Sequence, residues 1–484
     1  MHRLWGNGRF QGEARAKMHT VPADRFQAEL DSSPLTRPMW RLWILSAGLI
    51  ALDGFDFFII GVAMPFIRRD FALSAGWVGA IATAALLGAL LGSLTLGPIT
   101  DRVGRQKMLV IDIALFIVAS LATALAWNAE SLLFFRFLVG VGIGADYPIS
   151  VAYVTENVPA RHRGRMVIGA VSFQAIGALL GALVGWVTIG FFQQTAPDMA
   201  VGYSWRWMLG VGVALSVLVG GLRLLFLLES PSYYIAKEEY AAASEAASEL
   251  LKKEILIKPP ADAQTETAAA LGYADLFSPA YRQQTALAAI PWFLQDIATY
   301  GIGIFTPTII AALTFSEGGD FLVQEMASAK GAAIVNVFLV VGFALAVLLI
   351  NRVGRIALQI VGFVGMAAGL GILSFSESNA QLTLLFAGFI LFNLTMNLGP
   401  NSTTFLLSGE VFPPAIRASG AGLAGAIAKS GAVLGALALP VLQARLGIAV
   451  LLRSLALICL LAALITFALR QAAPTAQPNS KQLT

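Results

Sequence analysis

Apolar residues in this chain neither alternate nor recur at every third or fourth position. They run. Stretches of about 20 residues with few charges, the length at which an α-helix crosses the hydrocarbon core of a bilayer, recur from residue 41 to residue 470, separated by short polar turns. Their spacing predicts twelve spans, at 41–67, 76–99, 108–127, 131–156, 165–192, 206–228, 284–313, 330–350, 356–376, 381–407, 416–443 and 448–470. A transmembrane barrel is excluded, because barrel strands alternate lipid-facing apolar with lumen-facing polar residues and these runs do not. The expected fold is all-α, a polytopic membrane protein of twelve transmembrane helices.

Polar breaks divide the runs into two sets of six. Residues 1–40 are expected to form a cytoplasmic tail, 41–228 the first six-helix bundle, 229–283 a cytoplasmic central loop, 284–470 the second bundle, and 471–484 a second cytoplasmic tail. Within the central loop, ESPSYYIAKEEYAAASEAASELLKKEI predicts an amphipathic surface helix, and KPPADAQTETAAALG after it reads as linker. The tail before the first span has no apolar core, which argues against a cleaved signal peptide.

Composition agrees: 57% of the 484 residues are hydrophobic and only 12% charged, with a mean hydropathy of +0.75, beyond what a water-soluble domain of this size tolerates. The net charge of +4 therefore implies no nucleic-acid partner. With the N-terminus inside, the short inner loops hold Arg102, Arg105, Lys107, Arg161, Arg163, Arg165, Arg352, Arg355 and Arg417, as the positive-inside rule requires. Arg68 and Arg69 fall on the outer side, against it. The one cysteine, Cys459, excludes an intrachain disulfide, and no histidine lies within a span. No metal-ligand cluster, cofactor motif or activated nucleophile is legible, and no enzymatic activity is expected. Gly140 to Ala145 matches G-x-G-x-x-A, but within an apolar helix and after no strand.

The two sets repeat one another. DRVGR at Asp101–Arg105 returns as NRVGR at Asn351–Arg355, and Glu156, Pro159 and Arg163 share their spacing with Glu410, Pro413 and Arg417. Offsets of 250 and 254 residues between independent motifs indicate a duplicated six-helix unit, the plan of a rocking transporter. With SWRWM at Ser204–Met208 and ESPS at Glu229, these motifs resemble the major facilitator superfamily across residues 41–470. The resemblance implies gating contacts by Asp101, Arg102, Arg105, Glu156, Arg163, Arg352, Arg355, Glu410 and Arg417, pairing in one conformation and separating in another.

Several ionisable residues lie inside the spans, where a charge is costly and marks a functional position by default. Asp53 and Asp56 share a face of the first span. Asp296 lies at a similar depth in the seventh, each of Asp53 and Asp296 on the order of 18 Å from its span's inner start at 1.5 Å per residue. Asp146 falls in mid-span beside Tyr147, and Asp112 one turn into the third span suits either a proton relay or a partner for loop arginines. Trp292, Asp296 and Tyr300 recur at four-residue steps, stacking an indole N–H, a carboxyl and a phenol on one helix face. Asn397 and Asn401 repeat that step beside Pro400, where a helix break frees backbone groups. Lys429, deep in the eleventh span, calls for a counter-charge or an anion. Arg136 and Arg453, nearer outer span ends, are read as snorkelling. Gly140, Gly142, Gly144, Gly177, Gly181, Gly185, Gly431 and Gly435 are read as sites of close backbone approach.

GIGADYPIS at Gly142–Ser150, LDGFDFF at Leu52–Phe58, WFLQDIATYG at Trp292–Gly301 and NLGPNSTTFLLSGEVFP at Asn397–Pro413 most resemble the phosphate:proton symporter family. That resemblance implies phosphate contacts by Tyr147, Gln174, Trp292, Asp296, Tyr300 and one of Asn397 or Asn401, with Lys429 near the site. It also implies a proton path through Asp53, Asp112 and Asp146, with Asp56 beside it. Departures are Ala145 for a usual Gly, Asp112 for a usual Glu and Leu52 for a usual Thr. The expectation is a proton-coupled phosphate symporter working by alternating access, monomeric, in a bacterial inner membrane with both termini cytoplasmic. Alternatives are a proton-coupled carrier of an organic acid or sugar, and a nutrient sensor that binds without transporting.

Overall fold

A computed structural model describes residues 19–103, 105–225, 229–260, 273–314, 319–376, 382–412 and 416–473, with the side chains of 97–107, 109, 145–152, 155, 236, 417 and 418 outside that description. Strand β1 (His19–Pro22) and helix α1 (Phe26–Ser32) come first. The first six spans are α2 (Arg37–Asp70), α3 (Ala75–Val103), α4 (Arg105–Ala124), α5 (Ala129–Asn157), the pair α6 (Ala160–Val171) and α7 (Phe173–Thr195), and α8 (Ala200–Leu225). Helices α9 (Pro231–Ala236) and α10 (Tyr240–Leu251) and strand β2 (Ile255–Lys258) form the central region. The last six are α11 (Arg282–Thr314), α12 (Phe321–Val353), α13 (Arg355–Ser376), the pair α14 (Leu382–Leu398) and α15 (Pro400–Glu410), α16 (Arg417–Leu446) and α17 (Ile448–Ala468). Every predicted span thus meets a helix or helix pair. Among the described residues ten of these are long and apolar enough to cross a membrane.

Local chemistry sets the helix ends. Thr36 caps α2 by accepting from the Met39 N–H, with Pro38 in the first turn. Asn128 Oδ1 accepts from Ser131 N at 2.8 Å to start α5, and Asp320 Oδ1 accepts from Val323 N at 3.0 Å to start α12. Within NRVGR, Gly354 takes φ +88° to turn α12 into α13, a backbone conformation that only glycine adopts without strain.

Helix pairs α3/α5, α2/α7 and α11/α16 pack closely, through the glycines singled out above. A Cβ on Gly140 would strike the Ala85 carbonyl, on Gly177 the Ala51 carbonyl, and on Gly435 the Ile297 carbonyl. Gly142 does something else: it faces the Asp112 side chain, whose Oδ1 would lie 3.3 Å from an added Cβ. The two halves meet through α2 with α11, α7 with α12 and α3 with α16. Gly61 packs on the Ile304 carbonyl, and Asn336 Nδ2 donates to the Ala178 carbonyl at 3.2 Å. Arg69, which broke the charge rule, lies 3.7 Å over the Phe321 ring, while Phe66 meets that ring at 5.0 Å. Its place is explained by a contact between halves.

Residues 19–36, before the first span, are not a free tail. Strand β1 pairs in parallel with β2, His19 opposite Ile255. Val21, Phe26 and Leu30 share a core with Ala243, Ala247, Leu250, Ile255 and Ile257, and that core continues into Met39, Leu42 and Tyr153 of the first bundle. Thr36 Oγ1 donates to the Leu250 carbonyl at 2.7 Å. Asp31 accepts from Ala160 N at 2.9 Å and lies 3.5 Å from Arg163. Helix α10 is amphipathic as expected, but its apolar face covers residues far upstream.

Candidate functional site

Helix α11 positions the site. Trp292, Asp296 and Tyr300 follow at single turns and are 7%, 2% and 3% exposed, so the expected polar stripe is buried against its neighbours. Lys429 of α16 reaches it: Nζ donates to Tyr300 Oη at 2.8 Å and lies 3.5 Å from Asp296 Oδ2. The ammonium also stands 4.5 Å from the Tyr300 ring centroid. From the other half, Gln174 Nε2 of α7 donates to Tyr300 Oη at 3.3 Å, and Phe57 of α2 meets the Tyr300 ring edge-on at 5.7 Å. One phenol therefore bridges the bundles. Gln174 reaches it because Gly54 of α2 lets the main chain of α7 approach.

A second polar group lies behind α11, at the predicted helix break. Pro400 has no N–H to continue α14, and the chain restarts as α15. Carbonyls at the break are bonded within the same half: Ser402 Oγ donates to Asn397 O, five residues back, at 2.6 Å and Thr403 Oγ1 to Gly399 O, four residues back, at 3.0 Å. Asn397 is 1% exposed, whereas Asn401 is partly exposed. Asn401 bonds to Asn397 at 2.7 Å and to Gln295 at 3.1 Å. Of the two asparagines, Asn401 is the more exposed.

The remaining carboxylates are dispersed. Asp53 is 4% and Asp112 5% exposed, in α2 and α4. Asp56 does not snugly share surroundings with Asp53: its two carboxylate oxygens accept from Arg136 Nη1 at 2.8 Å each. Arg136 is 0% exposed, so its reading as a snorkelling residue is corrected. An arginine inside a span needs a partner, and that need was the available signal for pairing Arg136 with Asp56, expected beside the proton path. Asp56 borders a small cavity lined also by Leu52, Phe116, Ser120, Thr123, Leu209 and Ser216. The side chains of Asp146 and Tyr147 lie outside the described residues.

The loop motifs are seen best in the second half. Arg355 Nη2 donates to Glu410 Oε1 at 2.7 Å, and the two side chains form an ion pair. Arg352 is exposed. In the first half Arg163 turns to Asp31 and to the Val158 carbonyl at 3.4 Å, while Glu156 is partly buried. The side chains of Asp101, Arg102, Arg105 and Arg417 lie outside the described residues. At the opposite end, SWRWM supplies Trp205 Nε1 and Arg206 Nη1, which donate to Asp70 Oδ2 at 3.0 and 2.9 Å.

Residues 42–471 match the family described as sugar (and other) transporters. The putative metabolite transport protein YaaU of Escherichia coli is 29% identical over 412 residues, 84% of this chain and 86% of its own. A repressible high-affinity phosphate permease of Neurospora crassa is 29% identical over 404 residues, 76% and 70% of the two chains. The proton:xylose symporter XylE, a major facilitator superfamily structure, aligns with a TM-score of 0.69 over 89% of this chain and 95% of its own, at 18% identity, which concerns fold alone. Apolar helices of membrane-spanning length and the match over nearly the whole chain have one meaning: this protein belongs to the sugar (and other) transporter family, a multi-pass membrane transporter with the major facilitator fold and not an enzyme.

Proposed function

We propose that this transporter moves inorganic phosphate together with protons, by alternating access of a site between its halves. The observation that carries the reading is Lys429, whose ammonium is shared between Asp296 and Tyr300 while Gln174 of the other half reaches the same phenol. Dihydrogen phosphate offers both P–OH donors and anionic acceptors. Its oxygens suit Lys429, Tyr300, Gln174 and Asn401, and one P–OH suits the Asp296 carboxylate. Sulfate at neutral pH has no hydroxyl to donate, and would meet Asp296 with charge alone.

Coupling follows from the same arrangement. Asp296 and Lys429 hold each other in the absence of substrate. A proton on Asp296 cancels that attraction and frees the ammonium for an anion, so proton and anion binding reinforce one another. Asp53, Asp56, Asp112 and Asp146 are the proposed further proton sites. The Asp56–Arg136 pair has the clearest chemistry, since protonating Asp56 would release a buried guanidinium. Arg355–Glu410 is the proposed gate of the second half, with Asp101, Arg102, Arg105, Glu156, Arg163, Arg352 and Arg417 as its companions. The arginines of the short inner loops support both termini lying in the cytoplasm, in the proposed bacterial inner membrane, and a site built from residues of one chain supports a monomer as the unit of transport.

A carrier of an organic acid is the second reading, favoured by the Phe57 and Phe58 rings against Tyr300, which would suit an aromatic carboxylate. The deciding experiment is uptake of labelled phosphate into proteoliposomes under an inward proton gradient, with unlabelled phosphate, sulfate and benzoate as competitors. Gradient-driven accumulation blocked only by phosphate, and abolished by Asp296→Asn, supports the proposal. Competition by benzoate without phosphate accumulation transfers it to the organic acid. Stoichiometric binding without accumulation of any anion would make the protein a sensor.

A further inference from the structure

Helix α2 ends in Arg68, Arg69 and Asp70, at the end of the bundle opposite the Arg355–Glu410 pair. Cations suit a helix C-terminus, and that alone would account for two arginines in the last turn. It does not account for where Arg69 goes. Its guanidinium carbon lies 3.7 Å from the centroid of the Phe321 ring, which belongs to the first turn of α12 in the other half. Phe66, three residues back on α2, meets the same ring at 5.0 Å. Phe321 is thus held by one ring and one cation, both from across the boundary between the halves.

Two neighbouring acids are engaged elsewhere. Asp70 accepts from Trp205 and Arg206 within its own half, and Asp320 caps α12 through Val323 N. Glu325 stands one turn on from Phe321 and shares its face of α12; Arg69 is the charge that acts on its carboxylate. Between this contact and the site, α2 stays against the second half. Gly61 packs on the Ile304 carbonyl and Gly303 on the Phe58 ring, and Phe57 meets Tyr300. From Phe57 to Arg69 is about 18 Å of helix at 1.5 Å per residue. Arg69 and Phe321 therefore close a line of contacts that begins at the Tyr300 phenol.

We infer that Arg69 and Phe321 are a gate at this end of the transporter, a cation–π contact between the halves with Glu325 as its counter-charge, closed here and parted when the site opens to that side. The chemistry suits a contact that must break in every cycle. A guanidinium is weakly hydrated and stacks flat on a ring, yet Arg69 is exposed and returns to water readily, whereas a buried ion pair is costly to part. The gate also gives a use to an arginine that the distribution of loop charges leaves unexplained. It rests on the alternating-access reading above, and not on which solute is carried.

The test uses the purified full-length transporter carrying Ala329→Cys. Ala329 is 0% exposed and lies one turn beyond Glu325 on the same face of α12, so a thiol there is shut beneath the contact. Its rate of labelling by a maleimide, read by mass spectrometry of the peptides, follows the open-to-closed ratio at that end. Cys459, also 0% exposed but in α17, is the control for general loosening. Arg69→Ala and Phe321→Ala should each speed labelling at residue 329 about two- to fivefold, the reach of an exposed cation–π contact. Cys459 should label no faster, and the phosphate Kd should move by no more than the same factor. Arg69→Lys and Phe321→Tyr, which keep the cation and the ring, should stay near the unaltered rate. Arg69→Glu sets like charge against Glu325 and should speed labelling further; adding Glu325→Lys should reverse that. Unchanged labelling at residue 329 in Arg69→Ala and Phe321→Ala overturns the gate and leaves the phosphate reading intact. Faster labelling of Cys459 as well means lost packing and also overturns it. If labelling responds as expected but proteoliposomes accumulate benzoate and not phosphate, the gate stands and the phosphate reading falls. No accumulation of either anion, with labelling indifferent to every variant, overturns both.

Discussion

Removing the Lys429 side chain would leave the Asp296 carboxylate buried without the ammonium that now lies 3.5 Å away. In the proposed site the same ammonium is the cation offered to an anion, so Lys429→Ala should raise the Kd for phosphate about 10–100-fold, the range of a lost charge-assisted bond. Calorimetry on the variant measures it; wild-type affinity would remove Lys429 from the site. Asp56 and Arg136 make a different case. Deleting one member of a buried ion pair leaves the other uncompensated and typically costs about 3–5 kcal/mol, whereas replacing both by apolar residues is often nearly neutral. Asp56→Ala should therefore unfold well below the unaltered protein, and Asp56→Leu with Arg136→Leu should regain most of the loss. If proton coupling also runs through this pair, the double variant will be stable yet fail to accumulate phosphate against a gradient.

At the level of helices, the legible part was the close approach of backbones, because glycine spaced at four leaves a visible stripe. Gly177 admits the Ala51 carbonyl of α2, so Gly177→Val should separate α7 from α2, carry Gln174 away from Tyr300 and abolish uptake. Wild-type transport by that variant would refute the packing. Arg355 and Glu410 were paired in the sequence only as members of repeated motifs, and they form one contact. Both side chains are about a third exposed, 36% and 31%, so breaking them should change stability by about 1 kcal/mol or less. A larger effect is expected on the balance between open and closed states: Glu410→Ala should increase labelling of cysteines introduced beneath it, measurable with a membrane-impermeant maleimide. The cap formed by β1, α1, α10 and β2 was not legible. Its halves are more than two hundred residues apart, and short, mixed-polarity segments such as HTVP and ILIK carry no sign of whom they will pair with.

For the whole molecule, alternating access requires the contacts between halves to come apart at one end. Gly190 of α7 lies against Met326 of α12, an added Cβ falling 3.7 Å from the sulfur. A disulfide between Gly190→Cys and Met326→Cys should lock α7 to α12 and stop uptake, with recovery on reduction. Cys459 is 0% exposed and should not compete for the pairing. Transport that survives verified cross-linking would exclude a rocking motion that opens between α7 and α12.

Run length determined the spans, because it is local: a bilayer sets how many consecutive apolar residues a helix needs, whatever lies beside it. The depth of Asp296 and the spacing of Trp292, Asp296 and Tyr300 were local in the same sense. Which charge meets which was decided by tertiary structure alone. Lys429 joins Asp296 and Tyr300, Arg136 joins Asp56, Asp31 joins Arg163, and Gln295 bonds to Asn401, since each pairing depends on the angle and register at which helices distant in the chain cross. Nothing in the periodicity of one helix encodes the rotation of its neighbour.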